Sequence, residues 1–222
     1  MSAEFQTNTE MLVKARQNAS QDVWNYVCGA TESETTMRRN RLGFDSLALR
    51  PRILRDVRRI DTSTTVLGHK IRIPVMLAPM GSLPIITPRG SLAVDKAASD
   101  YGTINFLSSV SSPGVEEVAE NSPHPKIYQL YVRDDLKWAE QLLTRVRKAG
   151  YAALTLTVDA PFYGNRERQL MAGWLPPTLA AGDAGREYKK ALTWDTMDVI
   201  KELGGLPFIL KGVATAEDAA LA

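Results

Sequence analysis

Cysteine is almost absent. Cys28 is the only one in 222 residues. An internal disulfide is therefore excluded, and the expected setting is the cytoplasm or another reducing compartment, the peroxisome included. Histidine is nearly as scarce, and His69 and His124 are the only two, which narrows the search for a general base to two positions. No apolar run is long enough to span a bilayer, and the first residues lack a basic-then-apolar leader. Neither sign of charge dominates: the formal net charge is +2, so nothing favours nucleic acid or an anionic membrane as partner. The densest basic stretch, Arg50, Arg52, Arg55, Arg58 and Arg59, is interrupted by Asp56 and Asp61 and reads as solvated surface. Internal repeats, low-complexity tracts and a G-x-G-x-x-G turn are all missing.

What is present is a rhythm. Val13 to Val27 carries apolar residues at helical spacing and stops at Gly29, and Glu32 to Leu42 follows, closed by Gly43. Thr64 to Val66 and Ile71 to Ile73 read as short strands around a turn that holds Gly68 and His69. From there short apolar runs alternate with helical segments. The five strand runs are Val75–Ala78, Ile104–Ser108, Ile127–Tyr131, Ala153–Val158 and Phe208–Leu210. Helices are expected over Ser91–Tyr101, from Pro113 as first helical residue, from an Asp134 cap to Lys148, over Trp194–Leu203, and from a Thr215 cap onward. A long loop rich in Gly, Pro and Ala follows the fourth run.

Strand–helix alternation means parallel strands with crossovers. An open doubly wound sheet would carry a Gly-rich phosphate turn after its first strand, but Pro79-Met80-Gly81-Ser82 is not one. A (β/α)8 TIM barrel would gather polar residues at the C-terminal ends of its strands. Ser108 ends run two, Gln129 and Tyr131 share a face at the end of run three, Thr155, Thr157 and Asp159 share a face in run four, and Lys211 ends run five. Taken singly, each is equally a hydrogen-bonded strand terminus. As a set they favour an α/β barrel, incomplete here with about five of eight parallel strands. Arg166, in the loop after run four, is either a surface arginine or a bidentate carboxylate ligand. Lys211 could form a Schiff base or place positive charge beside an anionic cofactor.

Several motifs together resemble the FMN-dependent 2-hydroxy-acid oxidase and dehydrogenase family. They are Gly29-Ala30, Asn40, Arg50-Pro51-Arg52-Ile53-Leu54, Thr65-Val66-Leu67-Gly68, Leu107-Ser108-Ser109, Gln129-Leu130-Tyr131, Thr157-Val158-Asp159-Ala160-Pro161, Gly164-Asn165-Arg166-Glu167-Arg168 and Leu210-Lys211-Gly212-Val213. The resemblance covers nearly the whole chain. It implies residues 1–222 of a single barrel domain, with 1–62 a helical segment and connection and 63–222 the hairpin and strands one to five. It also implies FMN as cofactor, a small L-2-hydroxy acid as substrate, O2 or another electron acceptor, and a homo-oligomeric full-length parent. Pro79, Met80 and Gly81 would offer backbone groups to the flavin ring, and Ser108, Gln129 and Thr157 would hydrogen-bond it. Lys211 would lie near its N1–C2 edge. Tyr131 would contact the substrate oxygen, Arg166 its carboxylate, and Asp159 the catalytic histidine.

The chain departs from the family in places. The family base lies in an S-N-H-G-x-R-Q motif after strand six, which this sequence lacks together with strands seven and eight and their phosphate loops. His69, in a turn, and His124, in a loop entering run three, read as exposed loop residues. A family tyrosine four residues before Gly-Ala is Asn25 here, with Tyr26 one residue, about 100° of helix rotation, further on; both are carried as substrate candidates. Val110 stands where many members have a bulky aromatic. Three readings stay open: a piece of a 2-hydroxy-acid oxidase, an inactive truncated chain without base or phosphate site, and a Schiff-base lyase using Lys211.

Overall fold

The computed structural model describes residues 5–177 and 186–222. It divides into two compact units, Met1–Arg59 with Gly164–Ala180, and Ile60–Tyr163 with Ala181–Ala222.

The first unit is helical. α1 (Asn8–Asn18) and α2 (Gln21–Cys28) replace the single helix expected over 13–27. Ser20 breaks the run: its backbone is extended, and its hydroxyl accepts from the Val23 amide as the α2 cap. α3 (Thr35–Asp45) begins three residues later than expected and runs through Gly43, because a single glycine inside a helix costs only about 1 kcal/mol. The loop after run four contains a further helix, described below as α7, and residues 178–185 of that loop lie outside the described residues. The arginines at 50, 52, 55, 58 and 59 are exposed, as expected of a solvated stretch.

The second unit holds the sheet. β1 (Thr64–Val66) and β2 (His69–Ile71) form an antiparallel hairpin in which His69 is the first residue of β2, paired with Val66, rather than a turn residue. α4 (Ser91–Tyr101), β3 (Asn105–Ser108), α5 (Val115–Asn121), β4 (Lys126–Leu130), α6 (Leu136–Lys148) and β5 (Ala153–Thr157) follow. After α7 (Glu167–Ala172, in the first unit) come α8 (Arg186–Lys190), α9 (Trp194–Gly204), β6 (Phe208–Lys211) and α10 (Ala216–Leu221). The sheet is parallel in the order β3-β4-β5-β6.

The first expected strand is reduced to one bridge. Leu77 donates to Ile104 O and accepts from Phe106 N. Pro74 and Pro79 flank this segment and have no N–H to give a ladder, and the Val75 amide is spent on Ile73 O. The helix cap before α6 is Asp135, which accepts from the Trp138 amide at 2.8 Å, while Asp134 accepts from Asp135 N. α5 begins beyond Pro113, with Gly114 as its cap.

Strand alternation divides the core in two. Leu107, Tyr128, Leu130, Leu154 and Leu156 pack on one face with Val118, Leu143, Val146 and Ile200 of the covering helices. Ile127 and Ala153 point the other way, clustering with Ile104 and with Ile71 of the hairpin. Truncating a fully buried leucine such as Leu143 costs about 2–5 kcal/mol. The inner face also carries Thr155, whose buried Oγ1 has no hydrogen-bond partner among the described residues. His124 differs from expectation. Its side chain is only 10% exposed, because Ser122, Asn105 and Asp95 surround the ring.

Candidate active site

Within the second unit the register puts the polar strand ends side by side. Ser108 pairs with Gln129 in the β3–β4 ladder, and Thr157 pairs with Lys211 in the β5–β6 ladder. The result is one hydrogen-bonded row. Ser108 Oγ donates to Gln129 Oε1 at 2.8 Å, and Gln129 Nε2 donates to Thr157 Oγ1 at 2.8 Å. All three side chains are buried. The row has a direction. Counting hydrogens, the second amide hydrogen of Gln129 and the hydroxyl hydrogen of Thr157 are not used within it, and lone pairs remain on Ser108. A mixed set of donors and acceptors suits the edge of a flavin, which itself alternates carbonyl and N–H groups.

The segment after the bridge reaches the same end. The Ser82 amide donates to Val110 O at 3.4 Å. A Cβ on Gly81 would stand 2.9 Å from Val110 Cγ2, so only glycine allows this approach. Pro79 is half-buried and Met80 exposed. A cavity of about 410 Å3 lies between this segment, β3 and α4, lined by Leu77, Met80, Val94, Ala97, Phe106 and Ser108 among others.

Lys211 Nζ lies 3.7 Å from Asp159 Oδ1, and both side chains are partly exposed. Gly212, at φ 112°, makes the pairing possible. A Cβ there would sit 2.5 Å from Asp159 Cβ. Asp159, expected to hold a histidine, is thus partnered here by Lys211. Tyr131 follows β4; its amide donates to Ser109 Oγ at 2.9 Å, and the Lys189 ammonium lies 4.9 Å from its ring centroid. Lys190 is placed similarly over Phe162, at 5.4 Å. Sequence reasoning missed both lysines. They sit in the short helix α8, with no sequence periodicity to mark them, and only their distance to the aromatic rings reveals them.

Arg166, Asn25 and Tyr26 belong to the first unit. Arg166 is not a simple surface arginine. Its Nη2 donates to the carbonyl oxygens of Tyr26, at 2.5 Å, and of Gly29 at the end of α2. Its guanidinium lies 4.9 Å from the Tyr26 ring centroid. The Tyr26 ring in turn leans on Trp174, with 6.0 Å between centroids. Arg166 Nε is buried and has no partner among the described residues, which leaves a donor for an incoming acceptor. Asn25 accepts from Gln21 Nε2 at 2.8 Å. Arg168 pairs with Glu34 at 2.6 Å and, with the Ala30 amide, holds the Glu34 carboxyl below its ordinary range.

The family model of FMN-dependent dehydrogenases matches residues 15–222. Glycolate oxidase 5 of Oryza sativa subsp. japonica is 38% identical over 240 residues, covering 99% of this chain and 65% of that protein. Glycolate oxidase of Spinacia oleracea is 38% identical over 229 residues, covering 94% of this chain and 62% of its own length. A mandelate oxidase structure with 3,3-difluoro-2-hydroxy-3-phenylpropionic acid superposes with a TM-score of 0.86 at 29% identity, over 96% of this chain and 63% of the other. The chain therefore spans less than two thirds of the length of these relatives. The parallel sheet and these similarities agree: this chain belongs to the FMN-dependent dehydrogenase family, whose fold is the TIM barrel and whose cofactor is FMN.

Proposed function

We propose that this chain is the N-terminal part of a single barrel domain that oxidises a small L-2-hydroxy acid to the 2-keto acid with FMN. The observation that carries this reading is the directed Ser108–Gln129–Thr157 row beside Lys211. Bound FMN would take the two electrons removed from the substrate. Ser108, Gln129 and Thr157 would hydrogen-bond the ring edge, and the backbone of Pro79, Met80 and Gly81 would lie against it. Lys211 would supply positive charge where negative charge develops, an arrangement already in place before reaction. Tyr131 would contact the substrate oxygen. Arg166, braced by Tyr26, would donate from Nε to the carboxylate. Asn25 is a weaker candidate, its side chain already engaged by Gln21. Asp159 would hold a histidine base, a residue the present sequence does not offer to it.

That last point gives a second reading for residues 1–222 taken alone. His69 lies in the hairpin and His124 is fastened among Asp95, Ser122 and Asn105 at the N-terminal ends of the strands. Neither lies at the strand C-termini, which supports the reading that these residues by themselves would be catalytically inactive. A Schiff-base role for Lys211 is disfavoured. It is ion-paired and 40% exposed, unlike the desolvated lysines that serve as nucleophiles. Oxygen or another acceptor, a homo-oligomeric parent and a reducing compartment complete the proposal. Among the described residues no helix is long and apolar enough to cross a membrane.

The test compares two proteins. Residues 1–222 with added FMN should show no turnover of glycolate or lactate. A version extended through an S-N-H-G-x-R-Q segment should purify yellow and bleach anaerobically with a 2-hydroxy acid. Turnover by the short chain defeats the second reading, and a colourless extended protein that cannot be reconstituted with FMN defeats the first.

A further inference from the structure

Buried polar atoms without a hydrogen-bond partner are few among the described residues, and three of them lie on two residues of the first unit. They are Arg166 Nε and both ends of the Gln169 carboxamide, Nε2 and Oε1. Gln169, in α7, is 3% exposed. Its amide and that of Leu170 donate to Arg166 O, each at 3.0 Å. Arg166 and Gln169 therefore stand one turn apart, a spacing that sets Cβ atoms about 5–6 Å from each other. The guanidinium is anchored through Nη2, which donates to the carbonyls of Tyr26 and Gly29. The Trp174 amide donates to Gln169 O at 3.3 Å, and the Trp174 ring leans on Tyr26. Backbone and rings thus hold both residues, while the Gln169 carboxamide itself bonds to nothing.

Buried groups left unmet destabilise a fold, so this combination calls for a polar occupant. The atoms define its chemistry. Arg166 Nε donates, and a carboxylate supplies the acceptor. Gln169 presents a donor and an acceptor side by side, so it takes a group that accepts and donates at once. A hydroxyl does both and can bridge the two ends of a primary amide. A methyl or phenyl group meets neither end. A carboxylate has no hydrogen for Oε1, and an ammonium accepts nothing from Nε2.

We propose that Gln169 is a specificity-determining residue that selects a 2-hydroxy acid carrying a further hydroxyl at C3. The inference rests on the reading that Arg166 Nε takes the substrate carboxylate. With C1 held there, C3 is two bonds away, a reach that suits two side chains one turn apart. Gln169 Nε2 donates to the C3 hydroxyl, and Oε1 accepts its hydrogen. Glycolate has no C3, and the C3 of lactate is a methyl group, so either acid leaves the carboxamide unmet. A site built to hydrogen-bond a hydroxyl discriminates strongly against the analogue that lacks it, because the buried groups of the site are then left unpaired.

Two readouts test this. In residues 1–222 without ligand, Gln169→Leu replaces an unmet carboxamide by an apolar group and should raise the folding equilibrium constant in urea at least about fivefold. A loss would mean that an ordered water already satisfies the carboxamide, and overturns the proposal. In the FMN-loaded protein extended through the S-N-H-G-x-R-Q segment, kcat/KM for L-glycerate should exceed that for L-lactate at least about tenfold. Gln169→Leu should bring that ratio to about one. A parent ratio near one, which needs no variant, overturns the role of Gln169 and leaves the 2-hydroxy-acid reading standing, as does a ratio unmoved by Gln169→Leu. A yellow protein that oxidises no 2-hydroxy acid overturns the reading and the inference together.

Discussion

Replacing Gln129 by leucine tests the strand-end row at its centre. The side chain is 1% exposed and is the only link between Ser108 and Thr157. Leucine fills similar space but strips the Ser108 hydroxyl of its acceptor and Thr157 Oγ1 of its donor, both within a buried layer. Each unsatisfied buried group costs about 1–3 kcal/mol, so the variant should lose about 2–6 kcal/mol. That is a large part of the roughly 5–15 kcal/mol that holds an ordinary domain together. The four tryptophans provide a fluorescence signal for urea unfolding of the chain. The decisive comparison is the triple variant Gln129→Leu, Ser108→Ala, Thr157→Val. Removing the three side-chain partners together leaves only the part-buried Val110 amide, which donates to Ser108 Oγ at 3.3 Å, without its acceptor, so most of the lost stability should return. A single variant as stable as the parent, or a triple variant no more stable than the single, would refute a directed, mutually dependent row.

Two further outcomes follow from the same sheet. Thr155→Val removes a buried hydroxyl that has no partner while keeping the side-chain shape, and should raise stability by about 1 kcal/mol in the same assay; a loss would mean that the hydroxyl is satisfied. Gly212→Ala drives a Cβ into Asp159 from a backbone with positive φ and should cost about 1–3 kcal/mol. The additional change Asp159→Gly should recover part of that loss, and no recovery would show that the contact is not the cause.

Much of the fold was legible because its signals are local. The β4 and β5 runs are short apolar stretches bounded by Gly, Pro or Asp, and the structure places both within a residue of expectation. The Thr215 cap holds, accepting from the Asp218 amide. Misreadings came where neighbouring residues compete for one role. Asp134 and Asp135 are both good caps, and only the backbone direction selects Asp135. Ser20 sits inside an apolar pattern that continues across it, yet its capping bond ends one helix and starts the next. Val75–Ala78 has strand composition, but the flanking prolines leave it a single bridge.

The sequence by itself determined the alternation of strands and helices, the face on which each polar strand-end residue lies, and the motif set of the family. These depend on period, composition and order along the chain. The tertiary structure alone decided who meets whom. Ser108, Gln129 and Thr157 are joined across 21 and 28 residues of chain, and the direction of their hydrogen bonds depends on parallel register. Lys211 reaches Asp159 because Gly212 lets two strand ends approach. His124, which reads as an exposed loop residue, has its side chain largely covered because α4, α5 and β3 bring an aspartate, a serine and an asparagine around it. A side chain's burial and charge partners are set by distant segments, and no local pattern carries them.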